Sequence, residues 1–537
     1  MSEEEKKQCR HVNLTMVDGL MVLLSLILVY GANRNLAGVE CRPFVAVEPF
    51  LMVYWLFRLL FGLSYKLTSC LLFLFLLAFC IRELYLGYSQ LFQNLGTGKA
   101  QEVCVGSFSN SGPLGCFLSM CSILFVDVWV RAENRVVRTV MAVLVSASFI
   151  LMACTLSRAA ILSFMVGLFA LALKTAKYRI LIKRYWVYIV VALALAASGA
   201  YMLKKPSADG RFLMARIGWS MIRNGGLTGV GLGNFEGAYG EAQAEFFSNY
   251  LNDESDLTDI GNIPENMRMV ADCPAYAFNE YLLMGIECGP IAMIVMIGLF
   301  IAGIWSAYSR GNSWCYPLIA VAVFACFSYP FEVDILLLIT FILLASNGLE
   351  GDICGCNLIF MGLMIVSLGT ITDIREKEMG QYNGTIVRDR FKDLCRSRSK
   401  WYIVTDCTFP DGLYEKNIVF TYGQSLSNEG RYAKSDSLLT LGTKMSSDPM
   451  FWNVIGNNSM EQGHYREAEE SYRHAFCMVP NRIYPLTLLA KLYHAEGDTA
   501  RFLKMAGVVE TFIPKVESVN TERLRSEIVN LKEEYIR

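Results

Sequence analysis

Charge is scarce in this sequence. Only 18% of its 537 residues are Asp, Glu, Lys or Arg, against 54% that are hydrophobic, which is too much apolar surface for a soluble globule and is the composition of a polytopic membrane protein. Neither sign is in excess: the formal net charge is −1, which withholds the basic stripe that nucleic-acid binding needs. Metal-ligand spacing is missing as well. Most of the 17 cysteines stand inside apolar runs, as Cys70, Cys80, Cys121 and Cys154 do, where a thiol is a small hydrophobe. Cys354-Gly355-Cys356 is too tight for zinc and lacks partners, so neither metal nor cofactor is expected. Cys395 and Cys407 are the pair that could form a disulfide. The first apolar run has no cleavage-type exit and reads as a span rather than a removable signal.

What is there is apolar runs. Stretches able to cross about 30 Å of hydrocarbon fall at 14–30, 44–63, 67–86, 113–130, 139–156, 159–173, 186–203, 279–308, 314–329, 335–346 and 357–370, giving an all-α bundle of about eleven spans. Basic residues gather in alternate loops, at Lys66, at Arg131, Arg135 and Arg138, at Lys174 to Arg184, and at Arg310, which places those loops and the N-terminus in the cytoplasm. The loops 87–112 and 204–278, the Ser157-Arg158 turn, and everything after Asp373 are then outside. Glu48 and Arg58 are charges inside the second span; a transporter or scaffold would make more of such residues.

The sequence divides into a membrane domain, 1–372, with its large polar loop at 204–278, and a soluble helical domain, 373–537. In the second, Gly423, Gly456 and Ala490 mark one repeat position and Gly430, Gly463 and Gly497 another, at spacings of 33 and 34 residues. That pattern resembles tetratricopeptide repeats, in which small residues let paired helices close. Such repeats dock protein partners; a lid or spacer is the alternative.

The 204–278 loop reads as the reaction chamber. Arg158, in a tight turn between apolar helices, suits an anion ligand, the alternative being a headgroup-binding arginine. Arg211 and Arg216 can reach the same region, and a guanidinium grips phosphate oxygens bidentately. Gly229, Gly231 and Gly233 imply a tight backbone path where chain and substrate approach. The acids of 236–272 read as a solvated face, a divalent-cation site being the alternative that nothing in their spacing demands, and Gly106 to Gly112 as a helix-entry turn or a lip of the chamber. Asn279 and Glu280 open the eighth span; Glu280 serves either the helix dipole or as a base.

The run Ser157-Arg158-Ala159-Ala160, Gly210-Arg211 ahead of Gly229-Val230-Gly231-Leu232-Gly233-Asn234-Phe235, and Asn279 with Gly289 ten residues on together resemble the O-antigen ligase and polymerase superfamily, with a tail like that of Bacteroidetes-type members. The resemblance implies a metal-independent, inverting membrane glycosyltransferase of the GT-C type at the inner membrane. Its donor would be a glycan on undecaprenyl diphosphate and its acceptor a hydroxyl of lipid A core, glycan or protein on the periplasmic side, a protein O-oligosaccharyltransferase being one alternative. Arg158 and Arg211 would hold the diphosphate, with Arg216 second to them. Two positions depart: Phe278 stands where ligases carry His, and Ala215 where an aromatic is common. The first leaves Glu280, or an acid of the loop, to supply a base.

Overall fold

The computed structural model describes residues 15–33, 42–97, 103–174, 176–251, 257–347 and 416–536. The eleventh span, the boundary at 372 and the Cys395/Cys407 pair lie outside them. Among the described residues are 21 α-helices and no strand. The bundle runs α1 Met16–Asn33, α2 Arg42–Leu63, α3 Tyr65–Gly96, α4 Ser111–Arg131, α5 Arg135–Cys154, α6 Arg158–Lys174 and α7 Ala176–Leu203. The polar loop then folds as α8 Lys205–Asn224, α9 Phe235–Ser248, α10 Glu265–Arg268 and α11 Glu280–Cys288. The bundle resumes with α12 Pro290–Ser309, α13 Cys315–Ala325 and α14 Asp334–Ala345.

The chain is an integral membrane protein. By length and composition α3, α4, α5 and α12 can each cross a bilayer, with α1, α2, α13 and α14 as shorter apolar helices. α4 is its axis: every residue from Pro113 to Phe125 is buried, as expected of a helix apolar on all sides. α5 instead buries Met141, Ser148, Leu151 and Met152 and exposes Val136, Val143, Phe149 and Ile150, the pattern of a lipid-facing wall.

One expected span is broken. The run 279–308 divides at Gly289 into α11 and α12; hydropathy is blind to the break because both sides are apolar, and Pro290 opens the second helix where its missing N–H costs nothing. At nine residues α11 covers only about 14 Å, so it stands outside the spans. The charge inside the second span is also explained: Arg58 Nε donates to Asp18 Oδ1 at 2.9 Å and Tyr54 adds its hydroxyl at 2.8 Å, all three fully buried, tying α2 to α1.

The C-terminal helices are α15 Lys416–Asn428, α16 Tyr432–Thr443, α17 Met450–Glu461, α18 Tyr465–Met478, α19 Tyr484–Glu496, α20 Thr499–Thr511 and α21 Val519–Ile536, each packed on the next. Gly423 and Gly456 are points of close approach: a Cβ on either would come within 2.5 Å of Leu439 or Tyr472. Gly430, Gly463 and Gly497 take left-handed turns. These helices pack against the polar loop. One hydrophobic cluster joins Leu213, Ile217 and Phe235 to Tyr472, Phe476 and Phe512.

The acids of 236–272 take part in that junction rather than forming only a solvated face. Glu236 pairs with Lys416 at 2.6 Å and Asp272 with Lys515 at 2.8 Å, and Glu241 Oε2 lies 3.1 Å from His474 Nε2.

Candidate active site

Arg158 is the first residue of α6. Its backbone is fixed by the turn before it, where Leu156 takes φ 52°, Thr155 Oγ1 donates to Met152 O at 2.6 Å, and α4 presses so close that a Cβ on Gly115 would lie 2.8 Å from that of Ala160. Arg211 comes from the first half of α8. Its Nη1 donates to Phe327 O at 2.8 Å, and its guanidinium sits 4.7 Å above the Phe278 ring. Burial, and then the positive charge of Arg158, hold its pKa below the usual arginine value. The two guanidinium groups are thus within electrostatic reach, and among the described residues Arg211 makes no ion pair. Like charges held together in this way favour an anion between them.

The floor beneath Arg211 is aromatic. Phe278 meets Tyr329 edge-on at 5.4 Å, and Tyr329 stacks on Tyr276 at 4.5 Å. Asn110 Nδ2 donates to the Tyr329 hydroxyl at 2.7 Å, so the 106–112 segment does border the site. It is held there by Glu83, which accepts from Ser107 N at 2.9 Å, and by Gln90, which accepts from Gly106 N at 2.9 Å. Leu156 and Phe278 are the two non-glycine residues with positive φ among those described. One precedes the Arg158 turn and the other carries Arg211, which puts backbone strain on both sides of one site.

The remaining sequence candidates fall elsewhere. Arg216 lies over the Phe246 ring at 5.1 Å, turned toward α9 and α10. Asn279 is the N-cap of α11, its Oδ1 accepting from Leu282 N at 3.0 Å. The glycine run approaches protein rather than open space: a Cβ on Gly229 would stand 2.5 Å from the carbonyls of Ile286 and Glu287, and Gly231 N donates to Glu287 O at 2.9 Å. Gly233 donates its N–H to the Glu287 carboxylate. The run therefore closes the C-terminal end of α11, whose last carbonyls have no partner within the helix.

Glu280 is buried, and its Oε1 accepts from Phe331 N at 2.7 Å. Burial, and then the charge of Glu332, push it well above the usual carboxylate range. Burial likewise raises Glu287 to about 8; Glu332 keeps exposed surface, but the packing around its carboxyl, and then the charges of Glu236 and Asp334, raise it to about 7. Glu332 reaches solvent; Glu280 and Glu287 stand behind it. Sequence reasoning missed Asn110, Tyr276, Tyr329, Glu287 and Glu332. Only Asn110 carried a signal, through the turn it belongs to.

These carboxyls make a testable link to pH. The folded chain binds the Glu287 proton up to about pH 8 and the unfolded chain releases it near 4.5. Glu287 therefore favours the folded state fully below its unfolded value, and that contribution is lost as pH rises through about 8. Glu287→Gln is expected to flatten the fall in melting temperature between about pH 5 and 8; an unchanged slope would remove Glu287 as its source.

Residues 142–297 match the family model described as O-antigen ligase. The matched segment begins in α5 and ends in α12, taking in Arg158, Arg211, the glycine run and Glu280. No curated protein matches the chain.

Proposed function

From the O-antigen ligase domain at residues 142–297, which places this chain in the O-antigen ligase and polymerase superfamily, we propose a transfer reaction at the Arg158/Arg211 pair. The family match supports a glycosyltransferase-like enzyme of surface-polysaccharide assembly. The donor is a glycan on undecaprenyl diphosphate, and the acceptor is a hydroxyl at the periplasmic face of the inner membrane. The acceptor oxygen attacks the anomeric carbon from the side opposite the diphosphate, inverting that centre. The carbon–oxygen bond to the diphosphate breaks with its electron pair leaving on the diphosphate. Arg158 and Arg211 hold the charge that grows there, and no metal takes part. Preorganised donors of this kind are worth several kcal/mol, about 2.7–4 for one.

The observation that carries this reading is the pair of mutually repelling guanidinium groups with aromatic support beneath one of them. The acceptor's proton passes to the Glu280/Glu332 carboxyl pair: Glu332 reaches solvent, and Glu280 keeps negative charge costly beside it. Phe278, standing where ligases of the lipopolysaccharide type carry His, favours a glycan or protein acceptor over lipid A core. The contacts of α9 with the C-terminal helices support a periplasmic, tetratricopeptide-like domain that steadies the loop.

The test is transfer by the purified chain from an undecaprenyl-diphosphate glycan across a pH series. A base must be ionised to act, so the rate is expected to rise through about pH 7. Glu332→Gln is expected to lower it about a hundredfold and to remove that acid limb while donor binding persists. A Glu332→Gln enzyme with the wild-type profile would exclude the carboxyl pair as the proton acceptor.

A further inference from the structure

A second site lies at the other end of the bundle. α4 runs from Gly115, beside the Arg158 turn, to Arg131, sixteen residues and about 24 Å on. There a cavity of about 690 Å³ opens between the ends of α3, α4, α12 and α13, lined by Tyr65, Ser69, Arg131, Arg310, Asn312 and Trp314 among others. Two cations line it, Arg131 and Arg310, and a third, Lys174, bonds to the lining residue Gly311 from outside. Arg131 is half exposed and shares Asp127 at 2.8 Å; Arg310 Nη1 donates to Asn347 O at 2.6 Å; Lys174 Nζ donates to Gly311 O at 3.1 Å. Asp127 is the one carboxylate in the lining. A guanidinium has five N–H donors, so both arginines keep donors beyond these bonds.

Buried donors nearby lack partners. The Tyr316 hydroxyl is fully buried without a hydrogen bond among the described residues. It lies within electrostatic reach of Asp127 and Arg131, with Lys174 Nζ 5.9 Å above its ring. Arg58 Nη1, buried and equally unpartnered, belongs to a guanidinium whose charge reaches Arg310. A buried donor left unmatched costs free energy, and both stand behind the cavity's lining rather than in it.

The level of the cavity indicates where the acceptor comes from. Trp129 and Trp305 are exposed two and five residues before Arg131 and Arg310, and Arg138 sits 5.7 Å over the Trp129 ring. Exposed tryptophans with adjacent arginines are the anchors of a membrane–water boundary. A cationic cavity opening at that boundary meets lipid headgroups before any solute.

We propose that this cavity binds the phosphate of an anionic lipid headgroup at the bundle end opposite the arginine pair. It is independent of the transfer reaction and needs no donor to form. The phosphodiester oxygens accept from Arg131 and Arg310, Lys174 adds positive charge from behind Gly311, and the glycerol side faces the tryptophans.

The full chain, purified in detergent, is tested by native mass spectrometry with phosphatidylglycerol, phosphatidylcholine and inorganic phosphate. Phosphatidylglycerol is expected to be retained over phosphatidylcholine, and Arg131→Gln with Arg310→Gln to weaken it about thirtyfold, the worth of two cations at a membrane surface. Arg131→Lys with Arg310→Lys keeps the charge and most of the preference, and Arg223→Gln on α8 changes nothing. Displacement by millimolar inorganic phosphate would assign the same chemistry to a free anion. Equal retention of both lipids by the wild type overturns the proposal. So does an unchanged preference in the double glutamine variant.

Discussion

Alanine at Arg158 or at Arg211 is expected to lower glycan transfer by 100-fold or more (about 10²–10³), and alanine at both to cost little beyond the worse single variant. The reason for the second clause is that the two groups act on one anion: once either is gone the diphosphate shifts, and residues that work as a unit are strongly non-additive. Lysine separates charge from shape. Arg211→Lys keeps the cation but loses the planar fork that holds Phe327 O and covers Phe278 at once, so it is expected to retain more activity than alanine and less than arginine. In cells lacking the chain, the variants are read by surface glycan and by expression level. Accumulated lipid-linked polymer in the null strain indicates a ligase, and single repeat units indicate a polymerase. A normal glycan pattern from Arg158→Ala and Arg211→Ala at normal expression would leave the pair without a part in the chemistry.

That the pair could be picked out from sequence at all follows from cost. An arginine between apolar helices, and another just past a span, are expensive unless something uses them, so each stands out alone; their meeting depended only on both lying at the same end of the bundle. Arg216 shows where such reasoning fails. Five residues past Arg211 on a helix is about 140° around the axis, and once 205–224 is known to be helical the two cannot face one anion. The aromatic floor had no local signature, because Tyr276 and Tyr329 are 53 positions apart in the sequence and meet only through the return of the chain at 327–334. The glycine run was legible as a tight path, but its partner, the carbonyl end of α11, was hidden by the break at Gly289. Spans were read well wherever lipid demands a long apolar run. They were read poorly where two helices join without a polar residue between them.

Glu241, Glu245, Glu265 and Asp272 are exposed as a solvated face should be, but the junction that Glu236 and Asp272 make with the C-terminal segment leads to the second large effect. Gly237→Val is expected to release α9 from the C-terminal helices. A Cβ at Gly237 would run into the Lys444 carbonyl, and one at Gly240 would come 2.9 Å from Ser447 Cα; both obstacles are backbone, which cannot rotate aside. Overpacking a close contact costs about 1–3 kcal/mol, and a backbone clash belongs at the upper end of that range. The loss is not confined to one residue, since Glu236 then leaves Lys416 and Gln243 loses its bonds to Asp272 O and Met478 O. Phe235 N, which donates to Glu287 at 3.3 Å, opens the same helix, so the disturbance travels to the carboxyl cluster behind Glu332. Hydrogen exchange should show α9 amides exposed in Gly237→Val while those of α4 keep their protection, and transfer should fall with them. If α9 stays as protected as in the wild type, the loop is held by something other than this contact. If α9 opens and transfer is undiminished, the C-terminal helices serve a partner rather than the site.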